Sequence, residues 1–367
     1  MKLTTSKEAL LRALQLSSGV VERRQTLPVL ANLLLVAEDG LLTVTGTDME
    51  VEIRVAVDSG VDIEQPGRTT LPARKLIDIW RALPDGATVA IAVDGAKATV
   101  RSGRSRFTLA TLPASDFPSV EGGAAELSLE LAWNELKRLI DQVGFAMAQQ
   151  DVRYFLNGML FEVDPEGVRT VATDGHRLAM CRLARGGLDG SAQAIVPRKG
   201  VGELARMLVD IDEPVQVTIG KGHLSASQGA VSLTTKLVDG KFPDYKKVVP
   251  AATEQTVTGD RDSLRQAFHR ASILSNEKYR GIRLKVEADQ LTIQANNPEQ
   301  EEAEESVEVS YSGSDIEIGF NVSYLQDIMA ALDTESVRIS FSDANSSALI
   351  EADGADDALY VVMPMRL

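Results

Sequence analysis

Three histidines, one cysteine and a run of glutamates are the residues in this 367-residue chain whose types could support chemistry. His176, His223 and His269 lie in different contexts, and none has a second imidazole or a thiolate at metal-ligand spacing. Asp174-Gly175-His176 sets a carboxylate two residues from an imidazole, the raw material of an acid–base pair. No convincing nucleophile accompanies it, and the matching earlier segment has Asp48 without a histidine. A Thr-Asp turn is therefore the better reading. Glu301, Glu302, Glu304 and Glu305 invite a cation, but the spacing of a calcium loop is absent, and a solvated or ion-paired face is the better reading. There is no phosphate-binding loop, dinucleotide fingerprint or nucleophile elbow. The expectation is no catalytic residue, no metal and no cofactor.

The segments that would have to position such residues repeat. Thr170-Val171-Ala172-Thr173-Asp174-Gly175-His176-Arg177-Leu178 is matched by Thr43-Val44-Thr45-Gly46-Thr47-Asp48-Met49-Glu50-Val51, and more weakly by Leu291-Thr292-Ile293-Gln294-Ala295-Asn296-Asn297. Asp48, Asp174 and Asn297 are roughly 125 residues apart. Leu71-Pro72-Ala73-Arg74-Lys75, Val196-Pro197-Arg198-Lys199-Gly200 and Phe320-Asn321-Val322-Ser323-Tyr324 recur at the same lag, as do Asp116-Phe117-Pro118 and Lys241-Phe242-Pro243. Three tandem domains follow, at 1–125, 126–252 and 253–367, each long enough for its own core.

Apolar periodicity predicts helices over 6–17, 74–83, 133–147, 198–209, 261–274 and 324–332. Strand patterns fall at 30–37, 41–57, 88–93, 96–101 and 106–112 in the first repeat. They recur at 157–163, 168–173, 178–184, 215–219, 223–227 and 231–237 in the second, and at 282–286, 291–295, 306–311, 337–341 and 347–352 in the third. No run of about 18 apolar residues exists and the N-terminus lacks an apolar signal core, so a cytoplasmic protein is expected. Cys181 cannot form an internal disulfide and reads as a small buried residue.

The net charge of −15, taken as a sum, argues against a nucleic-acid partner. Its distribution argues otherwise. The windows 6–24, 74–82, 133–150, 198–209, 261–273 and 323–332, which hold the helices and their exits, carry about 15 Lys and Arg against about 8 Asp and Glu, roughly +7, which leaves about −22 on the remainder. Basic helices on an acidic body suit a surface for a polyanion. The basic segment Arg101 to Phe107 and the acidic segment Glu299 to Glu305 lie in opposite end repeats, which suits head-to-tail self-association. If two helices per repeat lined a ring, six helices about 9 Å apart would leave no useful hole. Twelve would leave about 24 Å clear, enough for duplex DNA.

Beyond these patterns, Asn157-Gly158-Met159-Leu160-Phe161-Glu162, Thr173-Asp174-Gly175-His176-Arg177-Leu178, Lys236-Leu237-Val238-Asp239-Gly240-Lys241-Phe242-Pro243-Asp244-Tyr245, Ile273-Leu274-Ser275-Asn276-Glu277-Lys278, Asn296-Asn297-Pro298-Glu299-Gln300-Glu301-Glu302-Ala303-Glu304-Glu305 and Met363-Pro364-Met365-Arg366-Leu367 resemble the bacterial DNA polymerase III β subunit family, the sliding clamps. The resemblance covers the whole chain. It implies an α+β clamp fold of three helix–sheet repeats and a homodimeric ring, with helices inside and antiparallel sheets outside. Such a ring would encircle DNA and confer processivity without catalysis. Partners would be the replicative polymerase, the clamp loader and other proteins with short apolar clamp-binding motifs. The alternative is a repeat-built interaction scaffold that does not encircle DNA. The resemblance assigns DNA contacts to Arg24, Arg74, Gln150, Tyr154 and Phe155. It assigns a partner-peptide pocket to Leu156, Thr173, Gly175, His176, Arg177, Leu178, Pro243, Lys247, Val248, Val361, Met363, Pro364 and Met365. Phe107, Ile273 and Leu274, with Arg104 and Arg106 facing Glu302 and Glu305, are the expected dimer interface.

Overall fold

The computed structural model describes residues 1–22, 27–120, 123–188, 190–250 and 255–366. Its helices are α1 (Lys7–Gly19), α2 (Ala73–Ala82), α3 (Trp133–Asp141), α4 (Arg198–Met207), α5 (Arg261–Ser272) and α6 (Val322–Ala331). One strand leads into each helix and at least three follow it, so each repeat is two strand–helix–strands halves, with a short extra strand at Val61–Gln65 in the first repeat and at Ser310–Ser312 in the third. The halves exchange their leading strands. Lys2–Ser6 pairs with Thr88–Asp94 of the second half, and Gly67–Pro72 pairs with Asn32–Glu38 of the first. No described helix is long and apolar enough to cross a membrane.

Two compact units emerge, Met1–Lys137 with Lys199–Leu237, and Arg138–Arg198 with Val238–Leu367. The first holds an eight-stranded antiparallel sheet running from Ala125–Leu131 at one edge to Gly67–Pro72 at the other, and a five-stranded sheet that ends at Ser105–Ala110. The second holds a nine-stranded sheet and a four-stranded sheet that ends at Glu302–Glu308. The middle repeat is thereby divided. Its strand Val231–Lys236 pairs with Val51–Val57 of repeat one, and its strand Arg177–Ala184 pairs with Ala358–Val362 of repeat three.

Local chemistry explains where the helices begin. Ser6 caps α1, its Oγ accepting from the Ala9 amide at 3.1 Å, and Leu10, Ala13 and Leu14 form the buried stripe. Asp260 caps α5 through the Ser263 amide at 2.7 Å. The helix expected to reach residue 147 stops at Asp141. The chain then makes a 3₁₀ turn at Gly144–Ala146, and the Phe145 carbonyl accepts from Arg177 at 2.8 Å.

The run expected as one strand at 41–57 is two, Leu41–Thr47 and Val51–Val57, separated by a turn at Asp48. The strands that lead into the helices escaped the sequence reading because they are short and run into a helix without a turn signal. In Ala125–Leu131 only Leu127, Leu129 and Leu131 are buried, and the intervening residues face solvent.

Helix α4 offers a paired test of packing against propensity. A Cβ on Gly200 would lie 2.5 Å from Oγ1 of the buried Thr235, whereas one on the exposed Gly202 would meet nothing within 4 Å. Gly202→Ala should stabilise by about 0.5–1 kcal/mol through helix propensity alone. Gly200→Ala gains the same term but forces an overpacked contact worth about 1–3 kcal/mol, so it should destabilise. Urea unfolding midpoints that shift in opposite directions are the expected result.

Candidate partner groove

The second unit contains an apolar groove of about 150 Å³ lined by Arg153, Leu156, Thr173, Gly175, Arg177, Leu178, Pro243, Tyr245, Val248, Val361 and Met363. Four segments meet there. The turn Thr173 to Arg177 supplies one wall, and the short loop Asp151 to Asn157 another. The segment from Pro243 to Val248 and the C-terminal strand complete it.

The turn is built by side chains bonding to nearby backbone. Thr173 Oγ1 donates to the Arg177 carbonyl at 2.6 Å and accepts from the Gly175 amide at 3.0 Å. Asp174 Oδ1 accepts from the amides of His176 and Arg177 at 2.9 and 3.0 Å. Repeat one has the same turn, with Thr47 accepting from Met49 and Asp48 from Glu50 and Val51. Gly175 sits at φ +88°, and a Cβ there would also approach the Arg153 guanidinium at 2.9 Å.

Arg177 is fully engaged. Nε bonds Asp174 Oδ2 at 3.1 Å, one terminal nitrogen pairs with Asp327, and the other donates to Phe145. Its guanidinium carbon lies 4.6 Å from the Tyr324 ring centroid and 5.1 Å from that of Phe145. The Asp174 carboxylate is spent on the turn and on Arg177, while the His176 ring stacks on Tyr324 with centroids 6.4 Å apart. Asp174 and His176 therefore occupy separate contacts, as a turn requires and an acid–base pair would not.

The C-terminal strand runs beside the turn, with Val361 opposite Leu178 and Val362 opposite Arg177. Beyond it the Met363 amide donates to the His176 carbonyl at 2.9 Å, and the Met365 amide to Gly319 at 2.7 Å. The tail is thus held by backbone bonds at Met363 and Met365.

Nine of the thirteen residues expected at the pocket line this groove. His176 lies on its rim, Lys247 pairs with Asp244 at 3.1 Å, and Pro364 and Met365 continue past it. Two lining residues were missed, Arg153 and Tyr245. Tyr245 is buried, and its hydroxyl donates to Glu162 Oε1 at 3.2 Å. Burial, with Glu162 beside it, pushes its phenol up to about 12. The run Phe242-Pro243-Asp244-Tyr245 was the available signal for it.

Of the residues expected to contact DNA, Arg24 lies outside the described residues. Arg74 is exposed on α2. Gln150 is exposed at φ +56°, Tyr154 is 57% exposed, and Phe155 is half-buried with its ring edge-on to Tyr154. Of the expected interface residues, Arg104, Arg106 and Glu302 are exposed, Phe107 and Leu274 are half-buried, and Ile273 is 69% exposed at the end of α5. Glu305 is bound within its own chain by Arg270, in a bidentate pair at 2.8 and 2.7 Å.

Models of the N-terminal, central and C-terminal domains of the DNA polymerase III beta subunit match residues 1–121, 130–244 and 246–366. The chain belongs to the DNA polymerase III beta subunit family, the sliding clamps. A beta sliding clamp of Pseudomonas putida is 56% identical over 370 residues, covering all of both chains. Among solved structures, a Pseudomonas aeruginosa sliding clamp bound to griselimycin is 56% identical with a TM-score of 0.95 and full coverage of both. A Caulobacter crescentus clamp with polyethylene glycol bound to its putative beta-motif tethering region is 39% identical with a TM-score of 0.94, also at full coverage. Membership places the chain in DNA replication as a clamp, and it favours that reading over a scaffold without DNA.

The loop beside the groove carries a testable ion pair. Asp151 accepts from the Arg153 guanidinium at 3.0 and 2.9 Å and from its amide at 2.8 Å, which holds the carboxyl down at about 2. A depressed carboxyl keeps its pairing above the ordinary value of about 3.9 and loses it as pH falls through about 2. Carbon-13 titration of Asp151 should therefore give a midpoint near 2, and Arg153→Ala should return it toward the ordinary carboxylate range.

Proposed function

We propose that two copies of the chain close into a ring of six repeats around duplex DNA. The ring would tether the replicative polymerase, the clamp loader and other proteins that carry short apolar motifs. It would act in the cytoplasm, without catalysis, and its three domains would span 1–125, 126–252 and 253–367. The observation that carries this reading is a pair of open sheet edges for which the chain supplies its own template.

At each internal junction, the third strand after one repeat's first helix pairs antiparallel with the last strand of the next repeat. Ile53 faces Leu233 at one junction, and Ala179 faces Tyr360 at the other. The equivalent strands Glu302–Glu308 and Ser105–Ala110 end their sheets and pair with nothing on that side among the described residues. Carrying the internal register across would set Phe107 of one protomer opposite Ala303 of its partner, and Arg106 opposite Glu304. Such rim ion pairs contribute only about 0–1 kcal/mol each, so Phe107, Ile273 and Leu274 would supply most of the interface energy.

On the DNA side, Arg24, Arg74, Gln150, Tyr154 and Phe155 would touch phosphates without reading bases, which lets a ring slide. On the partner side, the groove would take Leu and Phe anchors. Its apolar lining, with Met363 at the edge, suits adaptable side-chain burial. That a closely similar clamp binds griselimycin supports a ligand site on this fold.

Topology gives the decisive test. After loading, the protein should stay on closed circular DNA and be lost within minutes when the circle is cut once. Equal retention on both forms would rule out encirclement, and no retention on either would favour the scaffold.

A second expectation concerns the interface. Ile273→Ala combined with Leu274→Ala should yield folded monomers in sedimentation velocity runs at micromolar concentration. An intact dimer would remove these residues from the interface.

A further inference from the structure

The three repeats act as controls for one another. Strand registers align Leu160 opposite Val171 in repeat two with Leu34 opposite Thr45 in repeat one and Arg283 opposite Gln294 in repeat three. Two residues along, Glu162 opposite Arg169 aligns with Val36 opposite Thr43 and with Lys285 opposite Thr292. Only the repeat that carries the groove has a carboxylate facing a guanidinium at this place.

That pair is largely buried, with side-chain exposures of 8% for Glu162 and 13% for Arg169. Glu162 accepts from Arg169 at 2.7 Å, from the Gln193 amide at 2.7 Å and from the Tyr245 hydroxyl at 3.2 Å. The nitrogen of Arg169 that bonds Glu162 also donates to Asp164 at 2.6 Å, and its other terminal nitrogen donates to Glu166 at 3.3 Å. Removing such charges from water costs free energy that an apolar pair of similar size avoids. Repeat one uses Val36 and Thr43 at the same place and forms the same strands. The network is therefore not needed to build the sheet. Among the described residues, its hydrogen bond to the groove lining runs through Tyr245.

We propose that Glu162 and Arg169 are positioning residues for partner binding, acting through the Tyr245 hydroxyl to hold its ring as a fixed groove wall. The proposal rests on the groove being the partner site. The segment bearing Pro243, Tyr245 and Val248 contains a single 3₁₀ turn, Tyr245–Lys247, with no side-chain cap at Asp244. Phe242 and Tyr245 are its buried anchors. Apolar contact alone lets a ring slide or tilt, because dispersion is non-directional. A hydroxyl bonded to a carboxylate that is itself held by two other donors fixes the ring in one orientation. A wall already ordered loses less freedom when a peptide binds, and the benefit falls mainly on dissociation.

The test is surface plasmon resonance on the dimer, with a synthetic peptide carrying Leu and Phe anchors. It compares the native protein with Tyr245→Phe, Glu162→Gln and the double variant, at a temperature where circular dichroism shows all four folded. Each single change should weaken binding by about 5- to 20-fold, chiefly through faster dissociation. The double variant should be no weaker than the worse single one, because both act through one bond. Tyr245→Phe keeps the ring and the fold, so it remains informative if Glu162→Gln destabilises the protein. Unchanged affinity in Tyr245→Phe, or effects that multiply in the double variant, would overturn the proposal. Failure of the groove reading looks different: removal of Met363 to Leu367 would then leave native peptide binding intact, and the proposal would fall with it.

Discussion

Antiparallel pairing between successive repeats is the constraint on which the rest of this structure depends. A sheet edge leaves a row of backbone donors and acceptors without partners, and these must find a neighbour or face water. Within the chain, Val51–Val57 finds Val231–Lys236, and Arg177–Ala184 finds Ala358–Val362. Each pairing fuses half of one repeat to half of the next into a single sheet. That is why the compact units cut through the middle repeat instead of following the sequence repeat. Among the described residues, the strands equivalent to these in the first and third repeats, Ser105–Ala110 and Glu302–Glu308, end their sheets.

The same constraint explains why an apolar groove forms in the second unit. On the face of the sheet that bears it, repeat two presents Leu160, Val171 and Leu178, whereas the aligned positions in repeat three are Arg283, Gln294 and Glu302. In repeat two, the segment from Phe242 to Val248 covers part of this apolar face, and the C-terminal strand lies beside it. The gap between those two covers is the groove. In repeat three a charged face that needs no cover stands there instead. Face polarity and cover vary together, as desolvation costs require.

The Thr-Asp turn shows how one local device acquires different neighbours. In repeat one the free oxygen of Asp48 pairs with Lys199 of α4, whose amino group also binds Glu22 and the Val20 carbonyl. In repeat two the free oxygen of Asp174 pairs with Arg177, which then reaches Asp327 on α6. In repeat three Asn297 bonds across a wider turn to Glu301. The backbone bonds of the turn are common to the first two. The outward contacts differ, and in repeat two Arg177 itself lines the apolar groove.

The sequence by itself determined what depends on residues close along the chain. The Thr-Asp turns were legible because Thr and Asp bond amides two or three residues on, as at Asp48 and Asp174. Helix starts were legible where a cap such as Ser6 precedes an apolar stripe. The threefold lag and the resemblance carried most of the groove lining with them. Tertiary structure alone decided the exchange of leading strands, because Lys2–Ser6 pairs with residues more than eighty positions away and has no local pattern that names them. It alone ended α3 at Asp141 and left the Phe145 carbonyl, in the 3₁₀ turn that follows, to accept from Arg177. It also brought Tyr245 and Arg153 into the groove. Tyr245 is placed by Glu162, 83 residues earlier in the chain, and Arg153 by its contact with the Asp174 carbonyl, 21 residues later. Short-range hydrogen bonding leaves a mark in the order of residue types, whereas a pairing between distant buried groups is decided only when the sheets have brought them together.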